Sequence, residues 1–395
     1  MHQGGGLGGA PVSLLKLLGR LDPAGFAPRA IVTEPGPLLE YARAVAVPAA
    51  VVPSGGAFFY SAHAQLAPRT LAHFVATFPS AVRLAQAALR RYQPDLLHLN
   101  TSVLLAWGAA ARRQGIPVVW TVREVLGANP LLRRWHADFI ADHARRVVAI
   151  SRAVQACLRP SAAVRLVYNG VDPAEYAPAR LDERAAVRAG LGLDAQDDVV
   201  MALGSVQRAK GHWLLLDAVE LLAARRPRTR LVLVCGGLPE SYAVSPRGRL
   251  KRALGLPLDS LAELLREARR RGIRDRVVVT GFVQDVARIL AAADVVAFPS
   301  IRAEGFGRPL VEAMATALPL VATDVGPSAE IVGPDAGMVV PPTAADLAAA
   351  LGGLLDSPER RRGMGQAGRE RVAALFTLDR QVRAMEAVYH EAMGG

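Results

Sequence analysis

Residues 304–312 read Glu-Gly-Phe-Gly-Arg-Pro-Leu-Val-Glu, two carboxylates eight positions apart around a glycine-rich turn. The run Phe298-Pro299-Ser300 ends an apolar stretch just ahead of it, and Pro309 suits the first turn of a following helix. A strand, a glycine turn and a helix start place backbone N–H groups where a phosphate or a sugar can approach closely. Ionised carboxylates only accept hydrogen bonds, so Glu304 in the turn and Glu312 nearly a helical turn inside suit hydroxyl groups at opposite ends of one elongated ligand. Acid pairs at this spacing also arise by chance in a chain with 35 acids. The surrounding turn, not the spacing, carries the reading. Residues 203–211, Leu-Gly-Ser-Val-Gln-Arg-Ala-Lys-Gly, hold Lys210, one of only three lysines. A lysine behind such a turn either neutralises a diphosphate or closes a loop, and its position alone leaves both open.

These segments need a scaffold that presents strand ends to a ligand. Short apolar, β-branched runs recur at 30–33, 96–100, 118–122, 147–150 and 164–168, separated by helical patterns, and again at 199–204, 231–235, 277–281, 295–299 and 320–323. That alternation predicts an α/β chain with two parallel-sheet domains. Asn169-Gly170-Val171-Asp172 is a turn signal, and the Pro- and Ala-rich stretch 173–178 reads as a linker. The domains are then 1–172 and 179–377, with a final amphipathic helix in 378–395 that Thr377 caps. Residues 238–260, rich in Pro, Arg and Gly, read as a mobile insertion. A glycine turn starts at Gly4 with no strand ahead of it, so the first strand is expected to be missing and to lie upstream of Met1.

With 395 residues at roughly 150 per domain, the chain carries two or three cores, which excludes a mini-protein. It is 51% hydrophobic and 21% charged, with a mean hydropathy of +0.22, too apolar for disorder. No run is long and apolar enough to span a bilayer, and the start lacks a signal-peptide pattern, which reads as soluble and cytosolic. Cys157 and Cys235 lie in separate apolar runs and read as buried thiols, with no metal site. The net charge of +12 favours an anionic partner. Only 5% of the chain is aromatic, with no interleaving of aromatics and arginines, which argues against nucleic acid.

Gly204 to Gly211, Gly281-Phe282, Glu304 to Glu312 and Leu318-Pro319-Leu320-Val321-Ala322-Thr323-Asp324-Val325-Gly326 through Glu330 occur in the order and spacing of glycosyltransferase family 4, which the chain resembles over nearly its whole length. The first half rests on Gly8-Gly9 and Tyr168-Asn169-Gly170-Val171-Asp172. The resemblance implies the GT-B fold, two facing Rossmann-like domains with the last helix returning to the first. It also implies retaining transfer from a nucleotide-sugar, which is a substrate, with no cofactor and no metal. By the same likeness Glu312 grips the ribose and Glu304 the sugar hydroxyls. Gly305, Phe306, Gly307, Pro309 and Leu310 lie beside sugar and phosphate, Lys210 offsets the leaving diphosphate, and Gly8 and Gly9 approach it from the other domain. Phe282 and Val283 fall where the family holds the base through backbone groups.

Two positions depart from the family pattern. Ser205 stands where the family usually has Arg, with Arg208 nearby but turned elsewhere if the loop keeps its register, and both are assigned to the donor-binding set. Arg123-Glu124 stands where the family often has a His near the reacting centre, and His98, at a strand end, either approaches the same cleft or is a structural histidine, the commoner case at a strand end. Such transfer needs no strong enzymic base, because the departing phosphate can take the acceptor's proton. The alternatives are a catalytically silent GT-B binding subunit and a nucleotide-sugar epimerase or phosphorylase of the same fold. The acceptor is a glycan, a lipid-linked sugar or a small metabolite, met mainly by the first domain, with 55–68 as the acceptor-side loop. On a helix over 79–91, Arg83, Arg90 and Arg91 either meet an anionic membrane, with Leu84, Ala88 and Leu89 between them inserting shallowly, or line a helix whose apolar residues serve the domain core.

Overall fold

The computed structural model describes residues 1–62, 68–161, 163–235 and 259–394. The expected insertion therefore lies outside the described residues apart from Asp259 and Ser260, and so do 63–67 of the expected acceptor loop. The chain forms two compact units, one of Met1–Gly170, Ala303–Phe306 and Phe376–Gly395, the other of Val171–Arg302 and Gly307–Leu375. The division falls at Gly170, just ahead of the expected boundary. The expected linker is not free chain, since Tyr176 is buried in the second unit. The short turn Ala303–Phe306 joins the first unit, which no local pattern announces.

In the first unit, β1 (Ala30–Val32) pairs with β2 (Ala49–Val51), and β3 (Leu97–Leu99), β4 (Val118–Val122), β5 (Arg146–Ala149) and β6 (Val164–Leu166) follow in a second parallel ladder. Met1 and His2 lie between β1 and β3. His2 N donates to Ile31 O at 2.9 Å, and Asn100 N to Met1 O at 3.0 Å. The slot of a first strand is thus filled over two residues, and Gly4 turns away from it at φ +87°. Gly5 packs so closely that a Cβ there would stand 2.3 Å from Glu34 O. The helix Leu378–Met393, capped by Thr377 as expected, buries Leu378, Val382, Met385 and Tyr389 against Leu17, Val119 and Val148. The last helix therefore belongs to the first unit. Burying each such apolar side chain contributes about 2 kcal/mol.

In the second unit, β7 (Asp198–Leu203), β8 (Thr229–Val234), β9 (Val277–Val279), β10 (Val295–Phe298), β11 (Leu320–Thr323) and β12 (Met338–Val340) form a parallel sheet in the order β12-β11-β10-β7-β8-β9. The central strands are buried on both faces, which is why they read as unbroken apolar runs. Leu215, Leu216 and Val219 of the helix His212–Arg225 and Leu347, Leu351 and Leu354 of the helix Ala344–Asp356 belong to this core. Asp294 pins the two middle strands together. Its Oδ2 accepts from Val199 N at 2.7 Å and from Arg188 Nη2 at 2.8 Å, and its Oδ1 from Arg184 Nη2 at 2.7 Å.

Candidate active site

The second sheet winds outward from β7 to β9 on one side and from β10 to β12 on the other, so the winding reverses between β7 and β10. Ligands of open parallel sheets bind outside the carboxyl ends of the strands at such a reversal. The segments leaving these two strands carry Lys210 and the helix of Glu312, and they are fastened together. Ile301 N and Arg302 N both donate to Ala209 O, at 2.9 and 3.2 Å. Gly211 has φ +72°, and a Cβ on it would stand 1.8 Å from Pro299 O, so the joint between the segments admits glycine alone. Gly204, at φ +124°, faces Lys210, whose Nζ would lie 3.3 Å from a Cβ there. The ammonium thus sits over the end of β7.

Gly307, left-handed at φ +83°, starts the helix Arg308–Ala315, with Pro309 in its first turn. Glu312 is buried, at 7% exposure, where a lone carboxylate would be costly. Arg308 resolves this, because its Nε and Nη2 both donate to Glu312 Oε1, at 3.1 and 2.9 Å. Oε2 accepts no hydrogen bond from the described residues. Burial alone would lower the guanidinium's pKa, but the Glu312 carboxylate and the Tyr176 hydroxyl outweigh it and hold Arg308 above its ordinary value. Ser205 accepts from Gln207 Nε2 at 3.1 Å, within its own loop. Phe282 is exposed and Val283 half-buried after Gly281, which turns at φ +76°.

In the first unit the carboxyl ends of β3, β4 and β5 gather a second set of groups. Gly8 caps the helix Gly9–Leu18 in extended conformation, and both glycines are exposed. Neither the turn's left-handed position nor its tightest packing falls on them. Those belong to Gly4 and Gly5. Asn100 Nδ2 reaches Ala10 O in the first turn of that helix, and Asn100 Oδ1 accepts from Arg123 Nε at 2.8 Å. Arg123, itself buried, also donates from Nη1 to Asn169 Oδ1 at 2.9 Å. Glu124 braces the strand ends, accepting from Thr101 Oγ1, Ser102 N and Arg123 N. The turn of Glu304 docks here. Ser151 Oγ donates to Gly305 O at 2.7 Å, and a Cβ on Gly305 would stand 1.8 Å from Arg123 O.

Four expected site residues are corrected. His98 has both ring nitrogens engaged, Nε2 with Thr121 Oγ1 and Nδ1 with Tyr389 OH, each at 2.8 Å. Burial, with the N-terminal ammonium and Arg123 nearby, holds its pKa well below the ordinary histidine range, so the ring is neutral and has no nitrogen to offer as a base. Arg208 turns to its own unit, donating to Glu263 Oε1 at 2.9 Å with its guanidinium 4.2 Å from the Trp213 ring centroid. The Phe306 side chain is buried against Tyr168 and Phe376, and that of Leu310 is core. Only backbone groups of these two can meet a ligand. Sequence reasoning missed Arg308, Tyr176, Ser151 and the Asn100–Arg123–Asn169 network. Of these, only Arg308, one helical turn ahead of Glu312, left a local signal.

A family description, Glycosyl transferases group 1, matches residues 183–371, and another, Glycosyltransferase Family 4, matches 7–175. An MMP alpha-(1->4)-mannosyltransferase of Mycolicibacterium hassiacum is 31% identical over 77% of this chain and 72% of its own length. The chain belongs to the family 4 glycosyltransferases. The alpha-maltose-1-phosphate synthase of Mycolicibacterium smegmatis is 29% identical over 80% of the chain and 86% of its own. The chain spans about half, 51%, of the D-inositol 3-phosphate glycosyltransferase of Saccharomonospora viridis, at 34% identity. Among solved structures, Anabaena HepE in complex with UDP-glucose superposes with a TM-score of 0.78 at 22% identity, over 99% of this chain and 98% of its own. A sucrose-phosphate synthase from Thermosynechococcus elongatus does so at 0.73 and 24% identity, over 100% and 95%. The fold of this family 4 glycosyltransferase is GT-B, with two Rossmann-like units.

Proposed function

We propose that this glycosyltransferase takes a sugar from a nucleoside-diphosphate donor and transfers it with retention of configuration. The observation that carries the reading is the joint, at Ala209–Ile301 and Gly211–Pro299, between the segment of Lys210 and the segment that leads to the helix start at Gly307, at the reversal between β7 and β10. A diphosphate held there has a cation and a helix N-terminus where negative charge grows as the glycosidic bond breaks. The open Oε2 of Glu312 suits the ribose hydroxyls, and Glu304, on a turn held by Ser151, suits those of the sugar. In the transfer, the bond from the anomeric carbon to the phosphate oxygen breaks. The acceptor oxygen bonds the same face, and its proton goes to the departing phosphate oxygen. That route needs neither a metal ion nor an enzymic base, which fits a His98 with no free nitrogen.

The test separates the two carboxylates. Glu312→Ala should lose affinity for the nucleoside diphosphate, read as a smaller thermal shift on its addition. Glu304→Ala should keep that affinity and lose turnover of the complete donor. Two variants that both bind and turn over like the wild type refute the site, and a product of inverted configuration refutes retention.

For the acceptor, we infer a lipid-linked molecule at an anionic bilayer. The helix expected over 79–91 runs from Pro68 to Tyr92, and Ala88 and Leu89 are core rather than surface. Leu71, Val75 and Leu84 are exposed on this helix, and the exposed Trp135 packs edge-on against the buried Phe58 ring, which meets Phe74 of the helix. Arg83, Arg90 and Arg91 are exposed on the same helix. Apolar and basic groups side by side are what an anionic surface attracts. Among the described residues no helix is long and apolar enough to cross a membrane.

A further inference from the structure

Glu312 stands on a helix whose geometry alone does not aim it. A buried carboxylate can turn its plane or seek any donor within reach, and each choice presents different oxygens to a ligand. One side chain removes that freedom. The planar fork of Arg308 places two donors on Oε1 and none on Oε2, which fixes the carboxylate plane and assigns one oxygen to structure and the other to ligand. Arg308 is itself braced. Tyr176 is buried with its hydroxyl close enough to help raise the pKa of Arg308, and Arg369 Nη1 donates to Tyr176 O at 3.2 Å and to Ala315 O at 2.5 Å. The chain of contacts therefore runs Arg369, Tyr176, Arg308, Glu312, all within the second unit. Tyr176 comes from the stretch that reads as a linker, so the segment joining the two units also supplies a strut of this clamp.

We propose that Arg308 is a positioning residue that aims Glu312 at the nucleotide's ribose, so that selection of a ribonucleotide depends on a side chain that does not touch the ribose itself. The proposal rests on the ribose reading of Glu312. It differs from a purely structural role for Arg308 in one measurable way. A structural role weakens all nucleotides alike, whereas an aiming role weakens only those with ribose hydroxyls.

The experiment measures, by titration calorimetry on the full chain, the affinities of UDP, GDP and ADP and of their 2′,3′-dideoxy counterparts for the wild type, Arg308→Met and Arg308→Lys. The wild type should prefer a ribonucleotide over its dideoxy form by about tenfold to a hundredfold, the worth of one hydrogen bond to a charged group. In Arg308→Met that ratio should fall to within about threefold while dideoxy affinity holds. Arg308→Lys keeps a charge without the fork and should lie between. An Arg308→Met protein with the wild-type ratio overturns the proposal. So does an equal loss for both nucleotide forms, which marks Arg308 as structural whatever the melting temperature. A wild type that shows no ribose preference with any of the three nucleotides overturns the reading of Glu312, and the proposal falls with it.

Discussion

Gly305→Ala adds one methyl group at the point where the Glu304 turn meets the end of β4. Its Cβ would stand 1.8 Å from Arg123 O and 2.8 Å from Arg123 C. A relaxed contact is about 3.5 Å, so one side must withdraw by about 1.7 Å. The strand side is the stiffer, because Arg123 is buried and its guanidinium is bonded to Asn100 and Asn169. The turn therefore moves, breaking the bond from Ser151 Oγ to Gly305 O and displacing Glu304. Misplacing a reacting group by about 1 Å costs about a hundredfold in rate, or about 2.7 kcal/mol in the barrier. Release of nucleoside diphosphate from the donor should fall by about that factor, while nucleotide affinity, set by Glu312 on the helix beyond, stays within about threefold. Gly363→Ala is the control, since nothing lies within 4 Å of the added atom. Turnover of Gly305→Ala within about threefold of the wild type refutes the reasoning that this contact holds the turn.

Lys210→Met removes the cation over the end of β7 and should lower turnover by about a hundredfold or more, as loss of one charge-stabilising donor does elsewhere. A change confined to melting temperature would make it a loop-closing residue. Acid should destabilise the fold through two half-buried histidines, His2 and His98. Burial, with Arg123 and the N-terminal ammonium, lowers His2 to about 3, and His98 is lowered as well. Both folded values lie below the 6.5 of the unfolded chain, which binds more protons below that pH. Stability is thus full above pH 6.5 and is lost as pH falls toward 3, with His2 alone costing about 1.4 kcal/mol at pH 5.5. Denaturant midpoints that do not move between pH 7.5 and 5.5, a span of about two units, contradict this. Replacing Arg83, Arg90 and Arg91 with Gln, or Leu71 and Val75 with Ser, should reduce sedimentation with anionic vesicles, and binding should weaken with salt. Sedimentation indifferent to both charge and salt removes the bilayer reading.

The sequence by itself determined whatever repeats over a few residues. Unbroken apolar runs of Val, Leu and Ala mark strands buried on both faces, and glycines at fixed offsets mark the turns at Gly204, Gly211 and Gly307. The strand end, turn and helix start around Glu304 and Glu312 form a local unit that the sequence shows, so the block stands out as a candidate there. What each side chain faces was beyond that reach. Leu310 and Phe306 sit inside the same block as the carboxylates, yet the tertiary packing turns both into the core. His98 reads as a candidate base until Tyr389, 291 positions away, takes its second nitrogen. The turn of Glu304 is anchored to Ser151, 154 positions earlier, and Tyr176, in a stretch that reads as linker, is buried and accepts at its carbonyl from Arg369. Hydrogen bonding and packing act over a few ångströms in space and leave no period along the chain. Only the folded structure decides which of the chemically able residues are still open to a ligand.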